Sequence, residues 1–203
     1  MRVPYKLFYR VGLTPWERLP TLPAAKQIST LLEREQNRRQ PPHGKALDLG
    51  CGSGIWSVEL ARRGWDVTGI DMIPKAVLAA RERARQARFQ ARFLAGDVTT
   101  LRETGVGAGF RLVLDFGTVH GLTRAQRQAV GREVSAVATA DATLLMYAAA
   151  PGRRGPLPRG ASREEIQKCY PGWTVIDEEP FDVTGAPGPF RHADPRWYRL
   201  RRA

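Results

Sequence analysis

Four carboxylates stand at the ends of apolar runs, and each is followed by residues that suit a ligand site. Asp48 lies in the run Lys45–Leu49, which leads directly into Gly50-Cys51-Gly52-Ser53-Gly54. Asp71 closes a second run, seventeen residues after Gly54. Asp97 follows Gly96 after a third, and Asp115 closes a fourth, ahead of Phe116, Gly117 and His120. A glycine-rich turn after a strand lets the backbone bend sharply and approach a ligand that a Cβ would hold off. A carboxylate at the tip of the next strand is placed to accept hydrogen bonds from ribose hydroxyls. The Gly50-x-Gly52-x-Gly54 spacing differs from the Gly-x-Gly-x-x-Gly dinucleotide fingerprint. These residues therefore describe one half of a nucleoside-binding site.

Other reactive side chains are ambiguous from type and position alone. His120 lies just beyond the fourth run, where ligands bind in open α/β sheets. It is either a general base for a hydroxyl or phenol or a hydrogen-bonded residue that steadies its loop. Asp115 either meets a ligand or simply ends its strand. Trp56 packs beside the ligand or enters the core. His43, ahead of the first run, is expected at the surface, and His192 falls in a late loop. Cys51 has no histidine beside it in sequence and is not expected to be a nucleophile. Cys51 and Cys169 lie far apart, which argues against a disulfide framework and for a reducing cytoplasm. No Cys/His cluster has metal-ligand spacing, so no metal is expected.

The elements that must position these residues alternate between strand and helix after residue 44, as in βαβ units around a parallel sheet. A helix over Leu22–Arg39 has Ile28, Leu31, Leu32 and Glu35 on one face and stops at Pro41-Pro42. Strands are expected at Lys45–Leu49, Asp66–Ile70, Ala91–Ala95, Phe110–Asp115, Ala142–Ala149, Trp173–Glu178 and Arg196–Arg202. Helices are expected at Ile55–Arg63, from Pro74 to Ala87, at Thr123–Ala138 and at Ser162–Tyr170. Thr123 and Ser162 are the expected N-caps, and Glu165 completes a capping box with Ser162. Residues 99–109 and 151–160 read as turn-rich loops.

At 203 residues the chain suits one domain with a proper core. No apolar run approaches the roughly 20 residues that span a bilayer, and no signal-peptide pattern is present. The net charge is +12, all of it carried by residues 1–20, 75–92 and 191–203. Such an excess raises the question of a nucleic-acid partner, but the 75–92 stretch should be an outer helix behind the nucleoside site.

Taken together, Asp48-x-Gly50-x-Gly52-x-Gly54, Asp71, Gly96-Asp97-Val98 and Asp115-Phe116-Gly117 resemble the motifs of class I S-adenosylmethionine-dependent methyltransferases. Thr14-Pro15-Trp16 and the Asp115-x-Gly117-x-x-His120 segment are similar to a group of small bacterial (actinobacterial-like) small-molecule enzymes. The resemblance implies an α/β, Rossmann-like fold with a seven-stranded, mostly parallel sheet in the order 3-2-1-4-5-7-6. Strand seven would be antiparallel, with helices on both faces. It implies a single domain over residues 1–203, with 1–20 as an N-terminal lid carrying Trp16 and 21–203 as the core.

The implied cofactor is S-adenosylmethionine. Gly50, Cys51 and Gly52 would line its methionine and ribose side, with Gly54 completing the turn, and Asp48 would hold the amino end. Asp71 would hold the ribose and Met72 would flank the adenine. Asp97 would accept from the adenine amino group, with the Val98 N–H at a ring nitrogen. Trp56, Asp115, Phe116 and Gly117 would border the same cleft, and His120 and Asp115 are the catalytic candidates. The methyl acceptor would be an oxygen, nitrogen or carboxylate of a small molecule, and the protein a monomer or homodimer. An RNA methyltransferase is the first alternative, although Asp115-Phe116-Gly117-Thr118 is not the Asn/Asp-Pro-Pro-aromatic tetrad of amino-directed base methylases. A non-catalytic S-adenosylmethionine-binding protein is the second.

Overall fold

A computed structural model describes residues 23–152, 159–186 and 191–203. Five helices and seven strands follow one another there: α1 (Ala24–Asn37), β1 (Lys45–Leu49), α2 (Ile55–Arg62), β2 (Asp66–Asp71), α3 (Pro74–Ala87), β3 (Arg92–Ala95), β4 (Phe110–Phe116), α4 (Arg124–Val137), β5 (Ala138–Ala148), α5 (Arg163–Cys169), β6 (Trp173–Pro180) and β7 (Arg196–Arg202). The strands form one seven-stranded sheet in the order β3-β2-β1-β4-β5-β7-β6. β7 runs antiparallel to both neighbours, and the other pairings are parallel. The class I architecture expected from the motifs is thus the one observed.

Strand periodicity divides the core between the two faces of the sheet. Leu47, Leu49 and Val113 pack with Val130, Val134 and Ile166 from α4 and α5. Ala46, Leu112 and Leu114 pack on the opposite side with Ile28 and Leu32 of α1 and Leu60 of α2. α3 closes the β2–β3 end through Val77, Ala80 and Ala84 against Val58 and Phe93.

Local signals mark most boundaries. Thr123 and Ser162 accept from the backbone N–H groups of Gln126 and Glu165, each in a full capping box. Pro74 opens α3, where its missing N–H has no helical partner to lose. The expected loop 99–109 instead begins with a 3-10 segment over Val98–Thr104, and β5 starts four residues earlier than expected. Ala138 follows α4 directly and pairs with Phe110 of β4, so pairing makes a strand of residues with little apolar pattern.

Two polar residues are buried, one of them against expectation. His43 is not at the surface: its exposure is 7%, and its ring packs on Trp65 at 5.4 Å between centroids. Glu35, on the apolar stripe of α1, is 1% exposed and forms ion pairs with Arg38, Arg39 and, from β7, Arg199. Burial pushes the Glu35 carboxyl up, but Arg199 and Arg39 outweigh it and hold it below its ordinary pKa. This network ties α1 to the last strand. Side chains also cover both edges of the sheet. Arg81 donates to the Phe93 carbonyl of β3, while Gln167 and Arg163 bond to Trp173 and Val175 of β6. Covered edges discourage strand addition.

Candidate functional site

The register brings the carboxyl ends of β1, β2 and β4 level. Leu49 pairs with Ile70 on one side and with Asp115 on the other. Asp48, Asp71 and Asp115 therefore share one rim of the sheet, with the turn Gly50–Gly54 between them.

Each carboxylate is held by neutral donors. Asp71 accepts the N–H of Gly52 at 2.9 Å and that of Ile73 at 2.8 Å, so it fixes both the glycine turn and the entry to α3. Asp48 accepts the Ser57 hydroxyl of α2 at 2.6 Å. Asp115 accepts the N–H groups of Thr118 at 2.7 Å and Val119 at 3.1 Å. Among the described residues no Lys, Arg or His forms an ion pair with any of them. Burial, with the neighbouring Asp71 charge adding to it, pushes Asp48 up to about 7. Burial pushes Asp115 up to about 7 as well, and raises Asp71. Buried carboxylates without a counter-charge are costly in their ionised form. This rim suits a cationic ligand. A sulfonium carrying an ammonium group has that character.

The turn itself is built on close protein contacts. Gly50 has φ +64°, and a Cβ there would lie 1.9 Å from the Thr118 hydroxyl oxygen, which donates to the Leu49 carbonyl at 2.8 Å. Gly54 has φ +76°, and a Cβ there would meet Ala80 of α3 at 2.9 Å. Two of the three motif glycines thus let the β4 loop and α3 approach the turn.

Comparison with known proteins agrees with this geometry. Residues 46–141 match the family described as Methyltransferase domain. That match covers just under half of the chain and, with the sheet order, supports a class I S-adenosylmethionine-dependent methyltransferase. Magnesium-protoporphyrin O-methyltransferase of Rhodobacter capsulatus is 40% identical over 105 residues, covering 45% of this chain and 46% of that protein. Ribosomal RNA small subunit methyltransferase C of Alcanivorax borkumensis is 40% identical over 68 residues, or 34% of this chain and 21% of that protein. The chain thus matches less than half of the length of either relative. Among solved structures, N-methyltransferase NodS from Bradyrhizobium japonicum, in complex with S-adenosyl-L-homocysteine, superposes with a TM-score of 0.78. That comparison covers 100% of this chain and 99% of that one at 18% identity, and it speaks to the fold.

The remaining site residues fall into three groups. Met72 is half exposed and Asp97 is exposed, each just beyond its strand. Asp97 accepts the N–H and hydroxyl of Thr99 through Oδ1 and so caps the Val98–Thr104 segment, with the Val98 side chain buried. Phe116 belongs to an aromatic cluster at the ends of β4 and β5. Its ring lies 5.0 Å from Tyr147, 5.3 Å from Trp197 and 5.7 Å from Trp56, which is half-buried. Trp16 and the lid expected over residues 1–20 lie outside the described residues.

Asp115 and His120 lie together at the β4 loop. Asp115 is fully buried, and its oxygens accept from Thr118 and Val119, so it shapes its own loop. Cys51 is buried, and burial raises its thiol pKa well above the ordinary range, which agrees with its expected inertness. His120 accepts the Ala149 N–H at Nδ1, at 3.1 Å.

Three residues of the site escaped sequence reading. Ser57 supports Asp48, Thr118 fills the space that Gly50 leaves, and Arg127 holds the His120 loop. Arg127 is 7% exposed and donates to the carbonyls of Val119 at 3.1 Å, His120 at 3.0 Å and Gly160 at 2.5 Å. A lone arginine in a polar helix face carries no local signal of such a role. Thr118 directly after Asp115-Phe116-Gly117 was the one readable hint. Among the described residues no group of His, Cys, Asp and Glu is placed to hold a metal ion.

Proposed function

We propose that the protein transfers the methyl group of S-adenosylmethionine to an oxygen, nitrogen or carboxylate on a small molecule. The observation that carries this reading is the rim of Asp48, Asp71 and Asp115, three buried carboxylates with no cationic side chain paired to them among the described residues. S-adenosylmethionine supplies an activated methyl on a sulfonium, a cation that such a rim favours. Asp48 would face its ammonium end, and Asp71 would use its remaining lone pairs on the ribose while Gly52 and Ile73 keep it oriented. Met72 and Asp97 would border the adenine.

The chain's part in the chemistry is then alignment and exclusion of water, which can lower a barrier by several kcal/mol. The wall of Trp56, Phe116 and Tyr147 at the ends of α2's first turn, β4 and β5 would seat the apolar part of an acceptor. The small-molecule acceptor named for the porphyrin relative supports this assignment. The basic stretch 75–92 gives little support to a nucleic-acid partner. Arg81 and Arg83 donate to the carbonyls of Phe93 and Ser53, Arg92 to that of Gly105, and Arg85 pairs with Glu82.

Titration calorimetry with S-adenosylmethionine, followed by a homocysteine-product release assay over carboxylic acids, phenols and amines, tests the proposal. Failure to bind the cofactor would refute it. Binding without turnover would leave a cofactor-binding protein. Tight RNA binding that weakens steeply with salt would favour the nucleic-acid alternative.

A further inference from the structure

We propose that the cleft between α4 and α5 is a binding site for a phosphate group, built on Arg124 and Arg127. The site shares no residue with the carboxylate rim and does not rest on the methyl-transfer reading.

A cavity of about 130 Å³ opens between the two helices, lined by Arg124, Arg127, Glu164, Glu165, Lys168 and Cys169. That is room for several waters or for one tetrahedral oxyanion. Arg127 reaches from this cavity to the β4 loop. Its Nε and Nη2 groups are taken by the carbonyls of Val119, His120 and Gly160. Nη1 is not taken. Its ion-pair partner, Glu165 Oε2, stands 3.6 Å away, too far for a hydrogen bond. That oxygen already accepts the Ser162 N–H at 3.0 Å in the cap of α5. Among the described residues no acceptor lies within hydrogen-bond distance of Nη1. Arg127 thus keeps two N–H donors open on a side chain only 8% exposed. Burial lowers its pKa, as it must for a desolvated cation short of counter-charge, and the Glu165 charge opposes that shift.

Arg124, three residues earlier on α4 and so on a neighbouring part of its surface, lines the same cavity. Among the described residues it has no hydrogen bond or ion pair. Lys168 is the third cation, and it pairs with Glu164 one turn away on α5. Three cations therefore meet two carboxylates, one held by the lysine and the other by a helix cap. The excess is felt at the cavity wall: burial raises the Cys169 thiol pKa, while the Arg127 and Arg124 charges pull it down. A guanidinium presents paired N–H groups that match two oxygens of an oxyanion. Two such groups on one cavity favour an anion with more than two acceptor oxygens, which a phosphate has and a carboxylate lacks. A phosphate on Nη1 would fix the same guanidinium that holds Val119 and His120, so occupancy would steady the loop that follows β4.

Titration calorimetry of the full chain with inorganic phosphate, at constant ionic strength, tests the site. We expect one saturable site, with acetate bound about tenfold more weakly or less well still. Arg124→Ala, at an exposed position, should weaken phosphate binding by about tenfold or more. Glu165→Gln preserves the capping box, which takes Glu or Gln, and removes a competing charge, so it should tighten binding. Arg62→Ala removes an equal charge from the exposed side of α2, on the opposite face of the sheet, and should change affinity by less than about twofold. Glycerol phosphate separates the two sources of the group: tighter binding than the free ion assigns the terminal phosphate of a larger ligand, and weaker binding assigns the free ion. Absence of saturable phosphate binding overturns the proposal. So does binding that Arg124→Ala and Glu165→Gln leave unchanged, that Arg62→Ala weakens equally, or that acetate matches.

Discussion

Replacing Asp48 by asparagine should move stability and cofactor affinity in opposite directions. Asp48 is 2% exposed, accepts the Ser57 hydroxyl at 2.6 Å, and is pushed up to about 7 by burial and by the Asp71 charge. The unfolded chain returns it to an ordinary aspartate value of about 3.9. A carboxyl whose folded pKa is raised contributes stability that is fully present below the unfolded value and lost as pH rises through the folded one. Three units at about 1.4 kcal/mol each give an upper limit of about 4 kcal/mol lost between roughly pH 4 and pH 8. Asparagine keeps an oxygen for Ser57 and has no charge to desolvate. The cofactor-free variant should therefore be about 1–4 kcal/mol more stable than the wild type at pH 8, and the two should converge below about pH 4.

Cofactor binding should respond in the other sense. An ionised Asp48 facing the ammonium end of S-adenosylmethionine makes a charged hydrogen bond that the amide cannot match. The variant should bind more weakly by about 1.5–3 kcal/mol. Urea denaturation across this pH range gives the first quantity, and titration calorimetry at pH 8 the second. Parallel stability curves for variant and wild type would show that Asp48 does not titrate as an uncompensated buried acid. A stabilised variant with undiminished affinity would show that the rim's charge does not serve the cofactor.

Other substitutions probe the remaining supports. Asp71→Ala should weaken cofactor binding by about 1–3 kcal/mol and also lower stability, since the Gly52 and Ile73 N–H groups lose their acceptor; calorimetry and denaturation read the two effects. Gly50→Ala should cost about 3 kcal/mol or more through positive φ and the 1.9 Å clash with Thr118. Adding Thr118→Ala should recover part of that loss, and strictly additive effects in the double-mutant cycle would refute the contact. Arg127→Leu should destabilise by about 3 kcal/mol or more by stripping the carbonyls of Val119, His120 and Gly160. It should depress turnover more than cofactor affinity, because its partners lie beside His120 and not in the glycine turn.

What could be read from the chain depended on whether the signal was local. Lys45–Leu49 and Arg196–Arg202 are strands with the expected limits, because apolar pattern and turn residues bound them on both sides. The N-caps Thr123 and Ser162 were legible for the same reason. The burial of His43 was not, because it depends on Trp65. Glu35 was visible on the apolar face of its helix, but its partner Arg199, far along the chain, was not. The early start of β5 similarly depends on its partner strand.

The site shows the same division at finer grain. Four aspartates at four strand ends are visible in the sequence, yet each alone is an ordinary turn residue. Their collective meaning arises from register: Leu49 opposite both Ile70 and Asp115 sets Asp48, Asp71 and Asp115 side by side. Only then does the field of each carboxylate raise the cost of ionising the next, and only then does the rim call for a cation. His120 depends on still less sequence-visible information. Its placement depends on the Ala149 N–H at the end of β5, which reaches Nδ1, and on Arg127, which holds the His120 carbonyl. Position in the motif identified the residue, but the contact that orients its ring comes from a backbone amide twenty-nine residues away.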